Sequence, residues 1–174
     1  MKVTENSNDW LVVYTMSRAE KKIQKELARR EIECFLPLHK VIKQWSDRKK
    51  KLELPLFPNY LFVRPGQLDS YKVLMVPGVV KYVKANKELA TVREEQIDAI
   101  KRMLHGNPEV SSDVFVTGAK LRVTRGPLQG LEGVVVEKLG RTRIAMTLEI
   151  MNRTISAEVN PADLESIDQP LLYQ

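Results

Sequence analysis

The fold is decided by Leu54-Pro55-Leu56-Phe57-Pro58-Asn59-Tyr60-Leu61-Phe62-Val63, the densest aromatic cluster of the chain. Phe57, Tyr60 and Phe62 fall within six residues of a sequence that is only 6% aromatic. Pro55 and Pro58 lack backbone donors, so the first half cannot be an inner ladder strand. The second half reads as a strand. Side chains alternate along a strand, so Leu61 and Val63 point to a core and Tyr60 and Phe62 share the opposite face. Spacing leaves two readings of that face. It is a second buried face, or it is a docking surface whose rings anchor a partner's helix.

Upstream, Trp10-Leu11-Val12-Val13-Tyr14-Thr15 is short, aromatic and β-branched, and reads as a strand. Ser17 and Glu20 have the spacing of a capping box, which opens a helix with Ile23, Leu27 and Ala28 on one face and ends it near Arg30 to Ile32. Cys34-Phe35-Leu36-Pro37-Leu38 begins a second strand, continuing toward Val41 and Ile42. Lys43, Arg48, Lys49, Lys50 and Lys51 surround a single acid, Asp47, in what reads as an exposed turn. That turn is either a solvated hairpin tip or a contact for a nucleic-acid backbone.

Downstream, Arg64-Pro65-Gly66 breaks the strand, and Leu68, Tyr71, Leu74 and Met75 follow at helical spacing. Val79 to Val83 is a further strand, and Thr91 with Glu94 forms a second capping box before Ile97, Ile100 and Leu104. The order suits an α+β sandwich with helices on one face of the sheet. Residues 105–116 are rich in Gly, Asn, Pro, Ser and Asp and read as a linker. Beyond them, short alternating stretches near 120–124, 131–137, 143–149, 154–159 and 164–167 are separated by turn signals, which implies a small barrel.

A chain of 174 residues holds one domain or two small ones. At 43% hydrophobic and 29% charged it is globular. No apolar run approaches the roughly 18–20 residues of a membrane span, and the polar start has no signal-peptide core. Cys34 is alone, which excludes a disulfide framework and a cysteine metal cage, and the simplest location is cytoplasmic. Charge is uneven. Residues 1–104 carry 21 Lys+Arg against 13 Asp+Glu, a net +8, and residues 105–174 carry 7 against 9, a net −2. A basic first part beside a mildly acidic second part suggests two units with different partners, nucleic acid being the first part's.

Catalytic signals are missing. His39 and His105 have no metal-ligand spacing, and no Ser-His-Asp set or paired carboxylates can be assembled. Gly118, Gly126, Gly130 and Gly133 are not followed by Gly-Lys-Ser/Thr and sit among strands, so they serve turns and not a phosphate loop. The chain is therefore read as a non-enzyme with no cofactor and no metal.

The run Leu56-Phe57-Pro58-Asn59-Tyr60-Leu61-Phe62-Val63 resembles the signature of NusG-type transcription elongation factors. Asn59, where housekeeping members usually carry Gly, is similar to the specialised paralogues of the RfaH and UpxY kind. Pro77 to Val83 resembles the family's PGV strand, and residues 118–135 resemble a KOW motif. The resemblance covers residues 10 to about 167. It implies a NusG N-terminal (NGN) α/β sandwich over 1–104, a linker over 105–117, and a five-stranded SH3-like KOW β-barrel over 118–168.

The resemblance also implies partners and residues. The N-terminal domain would hold the RNA polymerase β′ clamp helices through Tyr14, Phe57, Tyr60 and Phe62, with Phe35 and Leu36 at the edge. Ser70, Tyr71 and Lys72 would face the β-subunit gate loop. Ser17, Arg18, Arg29 and Arg30 would face non-template DNA, and Lys43, Arg48, Lys49, Lys50 and Lys51 would steer upstream duplex DNA. The KOW domain would contact ribosomal protein NusE or Rho. The implied function is antitermination by a monomer that suppresses pausing on specific operons. The alternatives are a housekeeping NusG linked to Rho and a ribosome-associated KOW RNA-binding protein.

Overall fold

The computed structural model describes residues 9–44, 49–66, 69–112 and 118–167. The chain divides into two units, Met1–Asp98 and Ala99–Gln174. The first contains β1 (Trp10–Thr15), α1 (Glu20–Arg29), β2 (Glu33–Phe35), β3 (Leu38–Gln44), β4 (Lys49–Pro55), β5 (Tyr60–Arg64), α2 (Ser70–Leu74), β6 (Val79–Tyr82), β7 (Lys84–Ala85), β8 (Glu88–Leu89) and β9 (Thr91–Val92). The division falls within α3 (Glu94–Met103).

β1 is the axis of the first sheet. It pairs antiparallel with β5, β6 and β9, and β2 extends the sheet beyond β5. Alternation then sorts the side chains. Leu11 and Val13 of β1 and Leu61 and Val63 of β5 pack with Ile23 and Leu27 of α1 and Val73 of α2, forming one buried core. Each such side chain contributes about 1.5–3 kcal/mol on leaving water. The opposite face carries Trp10, Val12 and Tyr14 of β1 and Tyr60, Phe62 and Arg64 of β5, with Tyr14 opposite Tyr60 and Val12 opposite Phe62.

Both capping boxes fail. α1 starts at Glu20 after Ala19, with no side-chain cap bond. Glu20 is buried and accepts from the Asn59 backbone N–H instead. At α3 the Arg93 N–H donates to Gln96 Oε1, so the closing pair sits two residues later than expected. Glu94 accepts from Trp10 Nε1 and pairs with Arg64.

The strand expected to run through Leu36 and Pro37 is two strands. β2 stays on the main sheet, and β3 leaves it to form a two-stranded hairpin with β4. Pro37 cannot donate to a ladder, which suits this corner, and its carbonyl accepts from Leu56 N–H at 2.8 Å. The residues read as a basic turn are largely strand. Lys43 lies on β3 in register with Lys50 of β4, and Gln44 with Lys49. Arg48 lies outside the described residues, as does the Lys43 side chain.

The second unit contains β10 (Glu109–Ser111), β11 (Lys120–Val123), β12 (Glu132–Lys138), β13 (Arg141–Leu148), β14 (Arg153–Glu158) and β15 (Leu164–Ser166). They form one antiparallel sheet in the order β10-β14-β13-β12-β11-β15. The five strands expected of the small barrel are β11 to β15, and the sheet has a sixth, β10. Among the described residues no pairing joins β10 to β15. The added strand, β10, comes from the stretch read as a linker. Gly133 is required where it stands, because a Cβ there would meet the Ala145 carbonyl oxygen at 2.5 Å.

Arg143 explains how β10 is held. Its side chain is buried within the second unit. Its guanidinium donates to Ser156 Oγ and Ser156 O, and to the carbonyl of Asn107 just before β10. Glu109 and Glu158 lie 3.6 and 3.3 Å from the same group.

Candidate polymerase-binding face

Four ring contacts run along the sheet face opposite α1. Tyr14 and Tyr60 meet edge to face with centroids 5.2 Å apart. Phe62 packs against Phe57 and Phe35, each at 6.0 Å, and Phe35 meets Trp10 at 6.4 Å. The Arg64 guanidinium sits 4.9 Å from the Trp10 ring centre and closes the row. Period-two alternation on β1 and β5 puts these rings side by side, as the spacing of Tyr60 and Phe62 predicts.

The rings are not equally open. Phe57 and Phe62 are 2% and 0% exposed, whereas Tyr14 and Tyr60 are half-buried. Phe62 is thus not left over on a bare face, and the reading of all four rings as one open set is corrected. Tyr14 and Tyr60 line a hollow of about 850 Å³ whose other walls include Leu74, Val80, Tyr82, Lys81 and Lys84. Leu74 and Val80 are exposed apolar residues beside it. These walls come from α2, β6 and the β7–β8 hairpin, and local spacing could not place them, because β6 reaches the tyrosines by pairing with β1. Leu36 is not at the edge of this face. It is buried in the core against α1.

Asn59 sets where β5 begins. Its φ is +70°, in the left-handed region that Gly and Asn tolerate. It exchanges bonds with the end of β1: Thr15 N–H donates to Asn59 O at 2.8 Å, and Asn59 Nδ2 donates to Thr15 O at 3.2 Å.

Ser70, Tyr71 and Lys72 form most of α2. Tyr71 is exposed, and Ser70 O accepts from Tyr82 OH at 2.8 Å. Lys72 is tied to Asp69 at 2.6 Å, and that hydrogen bond raises its pKa. The four residues expected to face DNA lie at the two ends of α1. Ser17 and Arg18 precede α1, and Arg29 and Arg30 end it, about 15 Å away at 1.5 Å per residue. Arg29 and Arg30 both pair with Glu26, and Arg30 also donates to Lys72 O. Lys49, Lys50 and Lys51 are exposed on β4, and Lys21 Nζ fastens the hairpin by donating to Glu53 O at 2.8 Å.

Among the described residues no three His, Cys, Asp or Glu side chains gather as metal ligands. Burial pushes the Cys34 thiol up to about 12, which suits a packed and unreactive side chain. Burial lowers the His39 pKa. No helix among the described residues is long and apolar enough to cross a membrane.

Comparison with known proteins gives one answer. A family model described as "NusG: Transcription termination factor nusG" matches residues 8–101. The chain is 25% identical over 170 residues to the transcription termination/antitermination protein NusG of Rickettsia prowazekii, covering 89% of this chain and 88% of that protein. It is 25% identical over 177 residues to the protein of the same name from Neisseria meningitidis serogroup B, covering 93% and 99%. A solved structure titled "Domain interaction in Thermotoga maritima NusG" shares the fold, with a TM-score of 0.53, 21% identity, and coverage of 92% of this chain and 97% of that one.

Proposed function

The chain belongs to the NusG family of transcription termination and antitermination factors, which are not enzymes, and from that premise we propose that it grips the RNA polymerase β′ clamp helices with its first unit. The observation that carries this reading is the Tyr14–Tyr60 pair on the wall of the 850 Å³ hollow. Rigid rings at the mouth of an apolar hollow offer large contact area at low entropic cost, which suits a docked helix. Phe57 and Phe62 lie buried in the ring row of the same sheet face, and exposed Tyr71 reaches toward the β gate loop with Ser70 and Lys72.

Nucleic acid lies against the basic surfaces. Ser17 and Arg18 face non-template DNA, and the β3–β4 hairpin, with Lys43, Lys49, Lys50 and Lys51, follows upstream duplex. Arg29 and Arg30 are already engaged by Glu26 and contribute less. The second unit, as a KOW domain, takes NusE or Rho. The factor acts as a monomer in the cytoplasm.

The mechanism needs no covalent step. A factor that binds the pause-free polymerase better than the paused one shifts the balance between them. A differential affinity of about 1.4 kcal/mol changes that ratio tenfold. Asn59 in the signature favours a specialised antiterminator serving particular operons. The name shared by the relatives favours a second reading, a general NusG factor. In vitro elongation on pause-containing templates tests the first claim: adding the protein shortens pauses, and unchanged pause lifetimes overturn it. Deleting the gene separates the two readings, since only a general factor alters transcripts genome-wide.

A further inference from the structure

We propose that Glu20 is a positioning residue for the ring site: through the Asn59 amide it fixes where Tyr60 stands at the hollow. The inference rests on the reading of the Tyr14–Tyr60 face as a polymerase contact.

Glu20 is 4% exposed although it is an acid at the first residue of α1. A carboxylate so placed needs a donor, since burying it unpaired is costly. The donor it has is the backbone N–H of Asn59, 39 residues on, at 2.9 Å. Hydrogen bonds to an ionised acceptor are stronger than neutral ones. Asn59 is also the residue whose left-handed φ of +70° turns the chain into β5, and Tyr60 is the next residue. Tyr60 N–H itself bonds to Phe57 O at 3.1 Å, and the Asn59 side chain and carbonyl hold Thr15 next to Tyr14. Three elements thus meet at one residue, Asn59: the start of α1 at its N–H, the end of β1 at its carbonyl and side chain, and the start of β5. Both tyrosines are immediate chain neighbours of that junction. Without the carboxylate, the Asn59 amide loses its acceptor, and a non-glycine residue at positive φ loses a support that offsets its strain.

The test compares E20A, E20Q and Y60A in the full chain. Glutamine keeps an oxygen that accepts from the Asn59 N–H, and alanine does not. Amide hydrogen exchange of the free protein is read at Asn59 and Tyr60, with Val12 and Val13 of β1 as core references. Binding to RNA polymerase is read at a temperature where every variant is folded. E20A is expected to speed exchange at Asn59 and Tyr60 about tenfold or more while the core references hold. It is also expected to raise the polymerase Kd about tenfold, with E20Q within about threefold of wild type on both readouts. Loss of binding without rescue by glutamine, or unchanged exchange at Asn59 in E20A, overturns the proposal. Weakened binding in Y60A with wild-type binding in E20A also overturns it and leaves the polymerase reading standing. Wild-type binding in Y60A overturns that reading, and the exchange rates alone then decide whether Glu20 positions Tyr60.

Discussion

Tyr14 and Tyr60 are directly opposed on β1 and β5, and their rings meet at 67° with centroids 5.2 Å apart. Each ring therefore holds the other in place while both stay partly exposed along the hollow. An edge-to-face pair is worth about 0.5–1.5 kcal/mol beyond its buried area, so the pair is organised before any partner arrives.

Truncating either ring is expected to weaken binding of a clamp-helix fragment. Tyr60→Ala and Tyr14→Ala should each cost about 1–3 kcal/mol, the range of aromatic anchors. The double variant should cost less than the sum of the two, because each ring orders the other. Calorimetric titration measures this, and additive losses would argue against a shared contact.

Phe62 behaves differently because it is fully buried against Phe57 and Phe35. Phe62→Ala is expected to lower folding stability by about 3–5 kcal/mol. Urea denaturation reads the loss. Intact stability with abolished binding would place the ring on the surface instead.

Reversing Lys49, Lys50 and Lys51 to Glu is expected to reduce affinity for elongation complexes that carry upstream DNA. The dependence of log affinity on log salt should fall by about one unit for each lysine that touches a phosphate. A complex assembled without the upstream duplex serves as the control and should bind both proteins alike. An equal salt slope in wild type and variant would exclude backbone contact by this hairpin.

The β10 strand is expected to loosen in acid. A hydrogen bond from Lys138 holds the Glu109 carboxyl below the ordinary value of 4.5, and bonds from Arg141 and then Asn107 do the same for Glu158. Both folded pKa values are depressed, so their stabilisation is complete above the ordinary carboxylate value and is lost as pH falls through the folded ones. The protection factor of the Val110 amide should therefore fall as the pH drops below 4.5, earlier than that of Ile144 in the middle of the sheet. Arg143→Ala should have the same effect at neutral pH, with a stability loss of about 1–3 kcal/mol from its buried hydrogen bonds. Simultaneous opening of both positions would show that β10 is not separately fastened.

Local pattern was enough for most elements. Alternation over Leu61, Phe62 and Val63 assigned faces correctly, because a strand repeats every two residues whatever surrounds it. Proline at 55 and 58 marked the break before β5, because a missing donor acts locally. Turn glycines and β-branched runs located β11 to β15, and the NusG signature identified the family. Failures came where one position had two local solutions. Ser17 and Thr91 offered capping boxes, but Glu20 and Glu94 found partners at Asn59, Trp10 and Arg64. A charged side chain takes the donor that tertiary packing presents, and sequence spacing cannot list donors 30 residues away or more.

Local pattern alone assigns most of the strands and helices, the two faces of β1 and β5, and the family. Which rings are open follows from packing alone. Phe62 and Tyr60 share a face and a strand, yet neighbouring rings close over one while the other borders the hollow. Exposure is a property of the elements packed around a side chain, here β2 beside β5 and β6 beside β1, which pairing across the sheet and not proximity in the chain brings there.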